Sequence, residues 1–150
     1  HLALALMLIA CLPLVSGLTT PNPFSLGPGP GGFDPLAPGV LRVTRHPLLW
    51  ALELWALAHL VANGDVASVI LFGMLAGLGL FGPPLAERRA RRDLGLMFKV
   101  LADRTRRPSW RAIPEMGPWR VLGGLALYAV LIAAHPYLSG VFALPFTPPF

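Results

Sequence analysis

The stretch TRHPLLWALELWALAHLVANGD, Thr44 to Asp65, decides how this chain is read. Pro47 suits the first turn of a helix, where its missing N–H costs little. Asn63-Gly64-Asp65 is a turn signal that ends the same helix. Between them the residues are apolar apart from Glu53 and His59. The stretch predicts one helix over about 46–62, too apolar for a water-facing surface. Its three ionisable groups, His46, Glu53 and His59, therefore need a physical reason to be there.

The rest of the chain gives that helix its setting. Hydrophobic residues make up 55% of the 150 and charged residues 13%, against roughly 25% charged in soluble domains. Mean hydropathy is +0.64. Leu2–Leu18 is uncharged over 17 residues, and Val66–Leu85 over 20. Trp119–Leu138 holds only Arg120 and His135 as polar ionisable groups. A membrane span takes roughly 20 mostly apolar residues. The expected fold class is all-α, an integral membrane helical bundle of one domain over residues 1–150. About four transmembrane helices are expected, near 2–18, 46–62, 66–84 and 119–138. The lone Cys11 sits in the first apolar run and allows no disulfide within the chain. No basic segment precedes that run, so it reads as a membrane helix rather than a signal peptide. The chain starts with His1, and it is read as N-terminally truncated.

Charge sets the topology. Residues 87–117 carry nine of the 12 basic residues against four acids. The excess of cations predicts a cytoplasmic loop. Arg42 and Arg45, two spans earlier, fall on the same side. The net charge of +5 is then explained by this topology and by attraction to anionic headgroups, so the partner is the lipid bilayer and no nucleic acid is expected. Leu94, Leu96, Met97, Phe98, Val100 and Leu101 predict a short helix on the membrane surface. Thr19–Gly39 is dense in Pro and Gly and forms neither helix nor central strand. Its Phe24, Leu26, Phe33 and Leu36 favour packing back on the membrane side. Gly73, Ala76, Gly77 and Gly79 form a small-residue face for close helix packing, as do Gly123, Gly124 and Ala126.

Helix geometry separates the ionisable groups. At 1.5 Å and 100° per residue, His46 and His59 lie about 19.5 Å apart and roughly 140° around. They do not ligate one metal together. His46 belongs at the cytoplasmic edge, either as an interface anchor or as a site residue facing the cytoplasmic mouth. His59 lies deeper, on a face with Trp55 and Leu52. Intramembrane histidines face the bundle interior, where a neutral imidazole either makes an interhelical hydrogen bond or serves as an axial ligand to haem iron. Glu53 shares a face with His46, and a mid-membrane carboxylate must be protonated or paired. His46 and Glu53 are thus the catalytic candidates. His135, before Pro136, lies near the outer end of the last span at about the depth of His59. Histidines at matching depth on different helices can bracket one haem, so His59 and His135 are the cofactor-binding candidates.

The strings TRHPLLW, LWALAHLVANGD, ERRARRDLG and LYAVLIAAHPYLSG, in this order, resemble the NnrU family of bacterial membrane proteins, related to 15-cis-zeta-carotene isomerase. The resemblance covers roughly residues 40 to 150. It implies an integral protein of the bacterial inner membrane. Its isomerase branch uses haem b to convert a cis double bond in a carotenoid, a hydrophobic small molecule. Its bacterial branch is associated with denitrification, the metabolism of nitrite and nitric oxide. By this match His59 is the haem-iron ligand and His46 the other histidine of the motif. The isomerase branch carries a cysteine three residues before the deeper histidine; this chain has Ala56 there. Glu53 is also particular to this chain. Two other readings stand beside this one. A non-catalytic membrane assembly factor conflicts with nothing in the sequence. A membrane methyltransferase shares RHP, but the paired downstream glutamates it needs are missing, since only Glu87 and Glu115 follow.

Overall fold

The computed structural model describes residues 1–105 and 112–144, with Ile113 as backbone only. Six α-helices and one 3-10 turn account for its regular structure, and the described residues contain no strand. They are α1 (Leu2–Thr19), the 3-10 turn Gly39–Arg42, α2 (Pro47–Ala62), α3 (Val66–Leu94), α4 (Leu96–Thr105), α5 (Ala112–Met116) and α6 (Pro118–Ser139). α1 packs on α2 and α6, and α2 packs on α1 and α3. The long helices therefore form a row in the order α3, α2, α1, α6.

Three helices, α1, α3 and α6, are long and apolar enough to cross a membrane. Their exposed side chains are the evidence of what surrounds them: Ile70, Met74, Phe81, Leu122 and Val130 are all more than half exposed. An apolar surface of that extent is stable against lipid and costly against water. The protein is thus an integral membrane helical bundle. The fourth expected span, α2, has 16 residues and is about 24 Å long, short of a hydrocarbon core of about 30 Å. Its place between two longer helices compensates, because neighbours rather than lipid cover much of it.

Glycines set how closely the row packs. A Cβ on Gly79 would stand 2.4 Å from Glu53 Cβ, and one on Gly82 3.0 Å from Leu49. One on Gly124 would meet Leu12 at 2.8 Å. These three positions let α2 press on α3 and α1 on α6. The expected packing face through Gly73 and Gly77 is not used: nothing lies within 4 Å of a Cβ on either. The register of the α2–α3 hairpin turns Gly79 and Gly82 inward instead. On the last span, Gly123 and Gly124 do pack on α1 as expected.

The 66–84 span runs further than its hydropathy implies. α3 continues through Pro83 and Pro84 to Leu94, 29 residues in all. It is about 43 Å long, so its basic last turns stand beyond the apolar layer. The segment expected as a basic loop over 87–117 therefore begins as helix; Arg106, Arg107 and Arg111 of that segment lie outside the described residues. The predicted surface helix is α4. α6 also runs through Pro136, where the sequence predicted a break, and ends at Gly140, whose φ of +73° is the left-handed cap that glycine adopts readily.

The Pro/Gly-rich segment folds back as a cap. Phe24, Val40 and Leu41 bury against Ala90 of α3 and Phe98 and Ala102 of α4, with Phe33 packed alongside. Phe24 meets Phe33 and Phe98 edge-on at 6.0 and 5.8 Å between ring centres. Leu26 and Leu36 stay exposed. Asn22 holds the cap to α2: its Nδ2 donates to the Arg45 carbonyl at 3.0 Å and its Oδ1 accepts from the Phe24 N–H at 2.9 Å.

Candidate functional site

His59 lies in the last turn of α2. Its Nδ1 is 2.8 Å from the Trp55 carbonyl, one turn back. A carbonyl can only accept, so Nδ1 carries the proton and Nε2 keeps its lone pair. The ring stacks on Phe72 of α3 at 4.8 Å and tilts on Trp55 at 4.7 Å. Trp55 and Phe72 themselves meet edge-on at 5.3 Å. Three aromatic rings thus form one wall across the α2–α3 seam, and a single imidazole nitrogen in that wall is free to act as a ligand. This orientation, with Nδ1–H held by a backbone carbonyl, is how proteins fix a metal-binding histidine.

Glu53 sits where α2 and α3 come closest, its backbone against Gly79. It is half-buried. Its carboxylate makes no hydrogen bond or ion pair within the described residues. His46, on the same helix face, does not reach it.

His46 is the N-cap of α2 and is only 6% exposed. The sequence placed it at an exposed edge; the folded-back cap buries it. Neither ring nitrogen has a hydrogen-bond partner. Its closest polar contact is Glu87 of α3, 3.7 Å from Nε2, beyond hydrogen-bond reach. Arg45 Nε donates to the same Glu87 oxygen at 2.9 Å, and Arg45 Nη2 also bonds it. Arg91 approaches the other Glu87 oxygen at 3.6 Å. Burial lowers the His46 imidazole below its ordinary pKa of 6.5; Glu87 opposes this, and Arg45 adds to it. At neutral pH the ring is therefore uncharged.

Glu87 and Asn22 are site residues that the sequence did not single out. Glu87 looked like one acid in a basic run. The hairpin register carried a signal: 59 faces 72, 53 faces 79 and 49 faces 82, so 45 must face 87 once α3 continues past its prolines. Asn22 gave no signal, because nothing in a Pro/Gly-rich segment marks which polar residue turns inward.

His135 lies one turn from the end of α6. Its Nδ1 is 2.7 Å from the Val141 carbonyl and 2.9 Å from Ser139 Oγ, which ties off the helix end. It sits at the same end of the row as His59. Yet α6 packs on α1 rather than α2, so α1 stands between the helices that carry the two histidines. Among the described residues, no three of His, Cys, Asp and Glu group as a metal site.

The comparisons with known proteins fit this arrangement. The chloroplastic 15-cis-zeta-carotene isomerase of Zea mays is 36% identical over 67 residues, which is 45% of this chain and 18% of that protein's length. No solved structure matches. The family profile described as NnrU protein matches residues 1–143. With nearly its whole length matched, including the α2 histidines, the α3 seam and the end of α6, the chain belongs to the NnrU protein family.

Proposed function

We propose that this protein binds haem b within the membrane, with His59 as an axial ligand, and acts on an apolar molecule at the α2–α3 seam. One observation carries the reading: the Trp55 carbonyl holds Nδ1–H of His59 at 2.8 Å, so the lone pair of Nε2 is the free one. The surrounding Trp55 and Phe72 rings suit a flat apolar macrocycle or a conjugated chain. When bound, haem b supplies an iron centre for electron exchange. The residues here orient the ligating imidazole and keep water from the seam. Of the two chemistries that accompany this family, cis–trans isomerisation of a polyene agrees with the name of the maize relative and with the apolar wall. A part in nitrite and nitric oxide metabolism is the second. His135 is the other ligand candidate, its Nδ1 also committed to a backbone carbonyl. The basic end of α3 favours a cytoplasmic location for that side, as in the bacterial inner membrane.

The test is the absorption spectrum of the purified full-length protein, as isolated and after addition of haemin. A Soret band that is lost in His59→Ala and retained in His46→Ala supports the assignment. A band of the same position and intensity in His59→Ala overturns it.

A further inference from the structure

A second site lies at the opposite end of α2. An open recess of about 240 Å³ is lined by Arg42, Thr44, Arg45, His46 and Thr105, with Leu41 at its side. It opens where α2 starts, at the level at which the apolar span gives way to the cap. Three features equip it for an anion. First, the His46 ring is 94% buried by its 6% exposure, and both its nitrogens are unpartnered. A buried imidazole without a partner is costly, and such groups in native proteins serve a ligand or water. Second, Arg42 bonds Glu115 and the Leu36 carbonyl through Nε and Nη2, and Arg45 bonds Glu87 through the same two nitrogens. The Nη1 group of each makes no hydrogen bond among the described residues, so each guanidinium keeps spare donors. Third, the charges do not cancel: Arg42, Arg45 and Arg91 face Glu115 and Glu87, and the positive end of the α2 dipole adds to the excess.

We infer that this recess binds a phosphate group at the membrane surface, held by the spare donors of Arg42 and Arg45 and by His46. Two guanidinium groups and an imidazole around one opening match the several oxygens of a phosphate better than the two of a carboxylate. The group comes either from a lipid headgroup, which sits at this depth, or from free phosphate. The site is separate from the His59 seam and does not rest on the haem assignment.

The full-length protein is purified in phosphate-free maltoside micelles. It is titrated by calorimetry with phosphatidic acid in mixed micelles and, separately, with inorganic phosphate. Saturable one-to-one binding is expected. Binding of phosphatidic acid alone identifies a lipid site; binding of both shows that the phosphate group suffices. His46→Gln and Arg45→Lys each weaken the affinity by about tenfold, the loss of one charge-assisted contact. Arg92→Gln, an exposed cation on α3 outside the recess, changes it by no more than about twofold, as expected of a screened surface charge. Arg45→Lys keeps a cation beside Glu87, so it preserves the fold where His46→Gln does not. Binding of neither ligand, equal losses at Arg92 and Arg45, or an unchanged affinity in a folded variant of the recess overturns the proposal.

Discussion

Gly79 of α3 lies against the backbone of Glu53 on α2, so close that a Cβ on Gly79 would stand 2.9 Å from Glu53 Cα and 3.1 Å from its N. The obstacle is backbone, not the flexible end of a side chain. Gly79→Ala must therefore part the two helices. The expected cost is about 1–3 kcal/mol, the range for overpacking a well-fitted interior. Gly73→Ala, which meets nothing within 4 Å, should leave stability unchanged or slightly raised through better helix propensity. Thermal unfolding in detergent of the two variants checks the contrast. Equal midpoints would mean that the seam is looser than this geometry.

Glu87 ties α3 to the start of α2 through Arg45, with both side chains about a quarter exposed. Partial burial places the pair between a surface ion pair and a fully buried one. Glu87→Gln should cost about 1–3 kcal/mol, more than the roughly 0–1 of exposed pairs and less than the 3–5 of fully buried ones. Arg89→Gln, whose partner Asp93 is 3.4 Å away with both groups mostly exposed, should cost under about 0.5 kcal/mol. A double-mutant cycle of Glu87 and Arg45, read by denaturant unfolding, isolates the coupling. A cycle that closes to zero would show the pair to be energetically silent.

His46 makes stability depend on pH in a defined direction. Burial holds its folded pKa below the ordinary 6.5, with the Glu87 carboxylate opposing and Arg45 reinforcing. The unfolded chain then binds more protons than the folded one at mildly acidic pH, so stability rises with pH. The contribution is present above about 6.5 and is lost as pH falls through the lower, folded value. Unfolding midpoints measured from pH 7.5 down to 4.5 should fall, and His46→Gln should flatten the part of the slope nearest 6.5. A slope unchanged in His46→Gln would assign it to the carboxylates instead.

The spans were legible because an apolar run near 20 residues has few stable homes other than lipid. The tight α2–α3 hairpin was legible in its Asn-Gly-Asp turn. Which small residues face inward was not. Gly73, Ala76, Gly77 and Gly79 offer overlapping stripes on one helix, and only the register against α2 selects Gly79 and Gly82. The Pro83-Pro84 pair hid Glu87 for a related reason: proline weakens a helix locally, but packing of α3 on α2 carries the helix through. His59 was legible as a ligand candidate from its depth alone, whereas its tautomer needed the Trp55 carbonyl. His46 read as an edge residue because the sequence does not show that a segment twenty residues upstream closes over it.

That closure rests on Asn22, which is 1% exposed. Its backbone N–H donates to the Gly29 carbonyl at 2.7 Å, and its side chain joins the Phe24 N–H to the Arg45 carbonyl. Asn22→Ala keeps the backbone bond and removes both others. It leaves one buried donor and one part-buried acceptor unsatisfied, at about 1–3 kcal/mol each. The penalty is local, so the cap should open before the bundle does. Hydrogen exchange should show the Phe24 amide losing protection in Asn22→Ala while amides in the middle of α3 keep theirs. Because Arg45 and His46 depend on this cap for their burial, the same variant should raise the His46 pKa toward its ordinary value, readable by NMR titration of the ring. Full protection at Phe24 in the variant would show that the Phe24–Phe98 packing alone holds the cap closed.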